Sequence, residues 1–391
     1  MKTLIELYDE RPIENVLGTE MFHPQETIYV CPPDVAENRA LHKALEAYFA
    51  HRGCKVHLTF AAVSLLNAGS VEKVLKEILQ SHEDCCVDIS GGTDAALFAA
   101  GSVCRDIPVI TYSRKKNAFF EIRNAPFARN LLCRVRLDAA SCFLMAGGQL
   151  LPGREDSKAL IDQEASIDAL FSVYAHFRRV WNRQISMIQK ISRADDDTLM
   201  ARGSPCVKAD QHMVTADRGM LEALADCGLI LDFQWNDEGF SFRFRDPMAR
   251  FWLRDMGSVL ELQVFRACRA TGLFDDVVLS AVVNWEGGKK QDAVTNEIDV
   301  MAVRGVQPLL ISCKTCEIRT EALNELAILR DRFGGKGSRA MIVTSASATR
   351  ARKVMRNRAR ELGIEIVEWE DCDLIHLKKR LKTTESMDLT R

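Results

Sequence analysis

The chain has 391 residues, which at roughly 150 residues per domain predicts two or three domains rather than one. Its 47% hydrophobic and 27% charged residues can bury sizeable cores and exclude disordered and collagen-like classes. Lys plus Arg number 52 against 54 Asp plus Glu, a net charge of −2, so any polyanionic partner must meet a local patch rather than a global field. Thirteen cysteines with no charged, apolar, cleavable leader do not read as a secreted disulfide framework, and a reducing cytoplasmic compartment is expected. No apolar run approaches the roughly 18 residues of a spanning helix, so no membrane partner is expected.

The first segment, 1–150, alternates β-rich runs at 3–7, 27–30, 55–59, 86–89 and 109–112 with helical periodicity at 38–51, 70–81 and 93–104. Such alternation predicts a Rossmann-like α/β domain, a parallel sheet covered on both faces. The segment 151–250 opens on the turn signal Leu151, Pro152, Gly153 and continues as a helical run over 157–192, whose Phe171, Tyr174, Phe177 and Trp181 recur at core spacing. A helix over 218–228 ended by Gly228, then strands 230–235 and 240–244 about a polar turn, resemble a winged-helix unit. The segment 251–391 reads as helix 256–270, strands 277–285, 296–303 and 308–313, helix 320–332, strand 340–344, helix 347–362 and strand 364–368. That is αβββαβ with one further αβ unit.

The sharpest constellation lies on those strands. A hairpin at 304–307 sets Asp299 and Lys314 side by side, and two-residue alternation puts Glu297 with Asp299 and Ser312 with Lys314. Carboxylates are hard ligands for Mg²⁺ or Mn²⁺, which polarises a phosphodiester and acidifies bound water. The lysine can orient that water or stabilise developing negative charge. Glu261, the acidic residue nearest the middle of its helix, completes the set.

In the first domain, Ser90, Gly91, Gly92, Thr93, Asp94 follow a strand and open a helix, presenting backbone N–H groups suited to phosphate; the Ser90 and Thr93 hydroxyls can donate to phosphate or ribose. The loop after the first strand, with Asp9, Glu10 and Asn15, lies at the same carboxyl edge, where open α/β sheets bind ligands. The spacing is not G-x-G-x-x-G, so a nicotinamide dinucleotide is not expected. Arg114, Lys115 and Lys116 add charge nearby. Between Lys336 and Arg360 there are eight basic residues and no acidic one, and Arg352, Arg356 and Arg360 share a helix face that can track phosphates. Cys313 and Cys316 form a lone C-x-x-C without a partner pair, which is not a zinc site.

The stretch Asn296 to Lys314, with the helix from Gly257 to Glu261 before it and Arg332, Phe333, Gly334, Gly335, Lys336 after it, resembles the restriction-endonuclease-like PD-(D/E)xK core. With the N-terminal segment it resembles the type III CRISPR nucleases that carry a CRISPR-associated Rossmann-fold (CARF) sensor domain. The resemblance implies a homodimeric, metal-dependent nuclease that degrades DNA or RNA, activated by cyclic tetra-adenylate held by the loops after the first and fourth strands. It implies metal ligation by Asp299, Glu261 and Glu297 with the Cys313 carbonyl. One departure stands: the residue two before the lysine, acidic in the pattern, is Ser312. It keeps open a second reading, a nucleotide-responsive DNA-binding regulator with a degenerate nuclease core, and the sensor could itself cleave its ligand.

Overall fold

The computed structural model describes residues 1–151, 157, 159–192, 197–209, 212–285, 294–334, 337–346, 350–368 and 373–388, the side chains of 350–352 and 383–388 excepted. The N-terminal part carries β1 (Thr3–Leu7), α1 (Leu17–Phe22), β2 (Glu26–Cys31), α2 (Pro33–Glu37), α3 (Arg39–His51), β3 (His57–Ala62), α4 (Ala68–Ser81), β4 (Cys85–Asp88), α5 (Asp94–Val103) and β5 (Val109–Ser113). It continues through β6 (Ala118–Arg123), β7 (Leu131–Leu132), α6 (Ala139–Leu144) and β8 (Gln149–Leu151). Side chains accept backbone N–H groups at the starts of four helices: Asn38 before α3, Asn67 before α4, Thr93 before α5 and Asp138 before α6.

The sheet order is β3-β2-β1-β4-β5-β6-β7, parallel from β3 to β5 and antiparallel beyond. β1 and β4 are buried throughout and carry apolar residues on both faces, Leu4 and Cys86 on one and Ile5, Leu7 and Val87 on the other, as a doubly covered parallel sheet requires, with Glu6 and Asp88 as buried acids among them. The expected parallel sheet is corrected at one edge, where β5 turns back through Arg114–Asn117 into β6. Asn117 there has φ +47, a left-handed conformation that asparagine tolerates.

The helical run over 157–192 is two helices, α7 (Glu164–Phe177) and α8 (Trp181–Ile191). Tyr174 and Trp181 are fully buried, as their spacing predicts, whereas Phe171 and Phe177 pack at the margin. After β9 (Met200–Gly203) comes a hairpin not foreseen, β10 (Cys206–Ala209) with β11 (His212–Thr215). Then α9 (Arg218–Asp226), β12 (Ile230–Trp235) and β13 (Phe240–Phe244) follow, with strand order β12-β13-β9, the helix-plus-wing arrangement, and α10 (Pro247–Trp252) leads out.

The C-terminal part has α11 (Ser258–Thr271), β14 (Asp276–Asn284), β15 (Thr295–Arg304), β16 (Gln307–Lys314), α12 (Thr320–Leu329), β17 (Arg339–Thr344), α13 (Arg350–Glu361), β18 (Ile364–Val367) and α14 (Leu374–Asp388), the last not foreseen. Its sheet runs β18-β17-β16-β15-β14-β8, so Gln149–Leu151 is the edge strand of this sheet. One face packs on α11 through Ala302, Leu309 and Ile311; the other packs on α12 and α13 through Met301, Val303 and Leu310.

That two-sided alternation slips at one place. Leu279 and Val300 lie in the layer with α11, whereas Ala281 and Ile298 lie in the opposite layer, although each is only two residues away. Between them stand Ser280, at φ +55, and Asp299, where the pairing of β14 with β15 skips one position. The distortion lets neighbouring residues on both strands face α11. The twelve described cysteines are all free. Among the described residues no helix is long and apolar enough to cross a membrane.

Candidate functional site

Beyond the Val300–Ile311 pair the ladder between β15 and β16 stops, and the Asp299 side chain takes its place. Asp299 Oδ2 accepts hydrogen bonds from the Ser312 hydroxyl at 3.0 Å and the Cys313 backbone N–H at 2.6 Å, and stands 3.5 Å from Lys314 Nζ. The predicted hairpin is present, turning at Gly305 with φ +57, and it brings the acid and the amine together. Glu297 Oε1 accepts from the Ser280 hydroxyl.

Across the cleft, Glu261 lies in the first turn of α11 rather than near its middle, because the helix starts at Ser258. A Cβ on Gly257 would fall 2.6 Å from Glu261 Oε1, so glycine there leaves room for the carboxylate. Glu261, Glu297, Asp299, Ser280 and Asp255 line one cleft of about 130 Å³. Asp255, not singled out from sequence, accepts from Ser258 N and Oγ at 3.0 and 2.8 Å; its signal was an Asp three residues before a helix-opening Ser. Ser280 was also missed, though it is the one polar residue in the run 277–283.

Burial, then the neighbouring Asp299, Asp255 and Glu297, push the Glu261 carboxyl up to about 9. Burial works against the Lys314 ammonium, but Asp299, Cys313 and Glu261 together outweigh it and hold its pKa above the ordinary lysine value. Among the described residues, four carboxyl groups line the cleft and one lysine stands beside them. Such a set of hard oxygen donors fits a divalent cation. The residues are gathered round the cleft but not closed on one point: among the described residues no three His, Cys, Asp or Glu side chains form a metal-sized group. Cys313 is buried in its strand and Cys316 is exposed.

At the carboxyl edge of the N-terminal sheet the two predicted loops touch. A Cβ on Gly91 would meet the Leu7 carbonyl at 2.6 Å and Asp9 Cβ at 2.8 Å, and Gly92 has φ +90, so both glycines are demanded by the backbone. Asn15 is buried, its side chain accepting from Asp9 N at 2.9 Å and donating to Asp9 O at 2.7 Å. Burial opposes the Asp9 carboxylate, yet hydrogen bonds from Arg11 at 2.6 Å hold it below the usual carboxylate range.

The hydroxyls expected to face a ligand are committed within the fold. Ser90 donates to Asp88 Oδ1 and accepts from Tyr112 N at 2.7 Å; Thr93 donates to the Leu65 carbonyl and caps α5. Glu10 and Asp94 are exposed at this edge.

Of the predicted basic face, Arg356 and Arg360 are exposed on α13, Arg356 pairing with Glu368, while the Arg352 side chain, Gly335 and Lys336 lie outside the described residues, as do Pro152 and Gly153. A helix returning after β17 runs away from the edge bearing Lys314, so Arg360 lies about 12 Å further along the axis than Arg352. Arg114, from the β5–β6 turn, donates to Glu14 Oε1 at 3.0 Å.

The fold is thus a restriction-endonuclease-like αβββαβ domain, with a lysine and carboxylates at a distorted strand pair, joined to a Rossmann-like domain through a winged-helix-like unit. Residues 249–387 match the family model described as Card1-like, endonuclease domain. The whole chain has the fold of protein VC1899 from Vibrio cholerae, at 16% identity, covering 99% of this chain and 98% of that one with a TM-score of 0.75. It is similar as well to Can2 from Sulfobacillus thermosulfidooxidans, solved in complex with cyclic tetra-adenylate, at 15% identity, 98% and 96% coverage and a TM-score of 0.67. No curated protein matches the sequence.

Proposed function

We propose that this protein is a metal-dependent nuclease of type III CRISPR antiviral defence, activated by a cyclic oligoadenylate and acting as a homodimer on DNA or RNA. The observation that carries the catalytic part is the approach of Lys314 to Asp299, which lines one cleft with Glu261 and Glu297. The activator is supported by the likeness over the whole chain to a protein solved with cyclic tetra-adenylate.

Asp299, Glu261 and Glu297, with the Cys313 carbonyl, would hold Mg²⁺ or Mn²⁺. The ion, when bound, would polarise the scissile phosphate and acidify a water. Asp299 anchors Lys314, so the ammonium stays charged and is held where it can hydrogen-bond a phosphate oxygen as negative charge develops. Ser312 supplies no carboxylate; it donates to Asp299 and fixes the rotamer of that ligand. The glycine-bearing loop 90–94 and the loop bearing Asp9, Glu10 and Asn15 would take the cyclic ligand through backbone N–H groups, since the hydroxyls there are engaged. The ring gates cleavage only by binding the active arrangement of the dimer more tightly than the inactive one. Arg352, Arg356 and Arg360 would guide the strand.

The test is to incubate the protein with single-stranded and plasmid DNA and with RNA, with Mn²⁺, with and without cyclic tetra-adenylate. Cleavage dependent on both supports the proposal; binding of DNA without cleavage favours the regulator.

A further inference from the structure

A second cleft, of about 560 Å³, opens between the two sheets, far from the catalytic edge. Its N-terminal wall is the β5–β6 turn with Arg114, Lys115 and Lys116; its C-terminal wall carries Arg304 on the β15–β16 hairpin and Arg339 at the start of β17, with Arg136 alongside. Asp275 is the one carboxylate among the lining residues, and it is occupied: it accepts from Gly305 N at 2.6 Å and pairs with Arg136 at 3.4 Å. Arg114 and Arg339 pair with Glu14 and Glu365, and six cations and one carboxylate line the cleft. Phe274, half-buried, contributes an aromatic surface to the same wall.

We infer that this inter-domain cleft binds a nucleotide-type polyanion, its phosphates on the cations and a base against Phe274. The volume suits a mononucleotide or dinucleotide, within the range of about 300–1,000 Å³ usual for small-molecule sites. Guanidinium and ammonium groups around a phosphate, with an aromatic ring beside them, are the recurring means of holding a nucleotide without reading its sequence. The placement differs from both sites described above. Gln307, in this cleft, and Lys314 are the two ends of β16, roughly 23 Å apart at 3.3 Å per residue. On the other wall, Arg114 pairs with Glu14, Glu14 stands 3.8 Å from Arg11, and Arg11 grips Asp9 of the sensor loop. A ligand here would bridge the two domains along a continuous line of charge pairs. The inference does not depend on the reading of the sensor loops.

Two sources share this chemistry, a free nucleotide and the 5′ end of a cleaved strand. The probes are ATP and linear 5′-phosphorylated tetra-adenylate, titrated into the full-length protein in EDTA by calorimetry, with inorganic triphosphate and cyclic tetra-adenylate as controls. One-site binding of either probe is expected. Lys116→Glu with Arg304→Glu should weaken it at least tenfold and Lys115→Ala with Lys116→Ala several-fold, with melting temperature unchanged in the second pair. The tighter probe identifies the source. Absence of binding at millimolar concentration, affinities unmoved by both variant pairs, displacement by cyclic tetra-adenylate, or triphosphate binding as tightly as ATP would each overturn it.

Discussion

One oxygen of Asp299, Oδ2, is contacted in succession by Ser312 Oγ, Cys313 N and, at 3.5 Å, Lys314 Nζ. Three consecutive residues of β16 thus aim at one carboxylate of β15, and the position that is acidic in the resembling pattern serves as a donor. Ser312→Asp would reverse that role, replacing a hydrogen bond with a second carboxylate against Asp299. Without metal the variant should be less stable by on the order of 1 kcal/mol, and it should bind Mn²⁺ more tightly than the parent protein. Thermal melting with and without Mn²⁺ checks both directions, which oppose each other.

Gly257→Ala should depress cleavage about tenfold or more while leaving the fold intact. The added methyl would stand 2.6 Å from Glu261 Oε1, the mobile end of a flexible side chain, so the carboxyl moves and the helix does not. Cleavage rate against melting temperature separates this from a general loss of stability.

In the N-terminal sheet Glu6 and Asp88 stand opposite each other on β1 and β4, both buried, and Glu6 Oε1 and Asp88 Oδ2 converge over Gly18 without hydrogen-bond partners among the described residues. Burial pushes Asp88 up to about 6 against the hydrogen bonds from Ser90, and burial with Asp88 raises Glu6. An acid whose folded pKa is raised favours folding fully below its unfolded value, near 4, and loses that contribution as pH climbs through the folded value. Asp88→Asn should therefore be close to neutral at pH 4 and stabilising at pH 8 by on the order of 3 kcal/mol, from about two pKa units at 1.36 kcal/mol each. Melting temperatures at the two pH values measure it.

Gly91→Ala should weaken cyclic tetra-adenylate binding by tenfold or more, because the methyl would be forced against the Leu7 carbonyl and Asp9 Cβ and would part the two loops. Equilibrium binding checks it, with Mn²⁺ affinity expected to stay unchanged.

The strands around 296–314 were readable because apolar runs flank a short turn that closes on Gly305; that hairpin brings Asp299 and Lys314 near each other, but the end of the ladder beyond Val300–Ile311, where Asp299 meets three consecutive residues of β16, has no sequence signal. The slip at Ser280 was not readable: a left-handed residue in mid-strand leaves the sequence looking like an ordinary apolar strand with one serine in it. Gln149–Leu151 escaped notice since three residues carry no periodicity and their partner strand begins about 125 residues later. The hydroxyls of Ser90 and Thr93 resembled ligand donors only because their partners, the Tyr112 N–H and the Leu65 carbonyl, are brought in by other parts of the sheet. Likewise the cations of the second cleft are dispersed from Arg114 to Arg339, and only the docking of two sheets assembles them.

The decisive experiment is single-turnover cleavage of DNA and RNA by the parent protein and by Lys314→Ala, both saturated with Mn²⁺ and cyclic tetra-adenylate. Loss of the cleavage step by a factor of about 10² or more, with substrate binding and melting temperature retained, is the expected result. Cleavage by Lys314→Ala at the parental rate would contradict the assignment of the Asp299–Lys314 cleft as the catalytic centre.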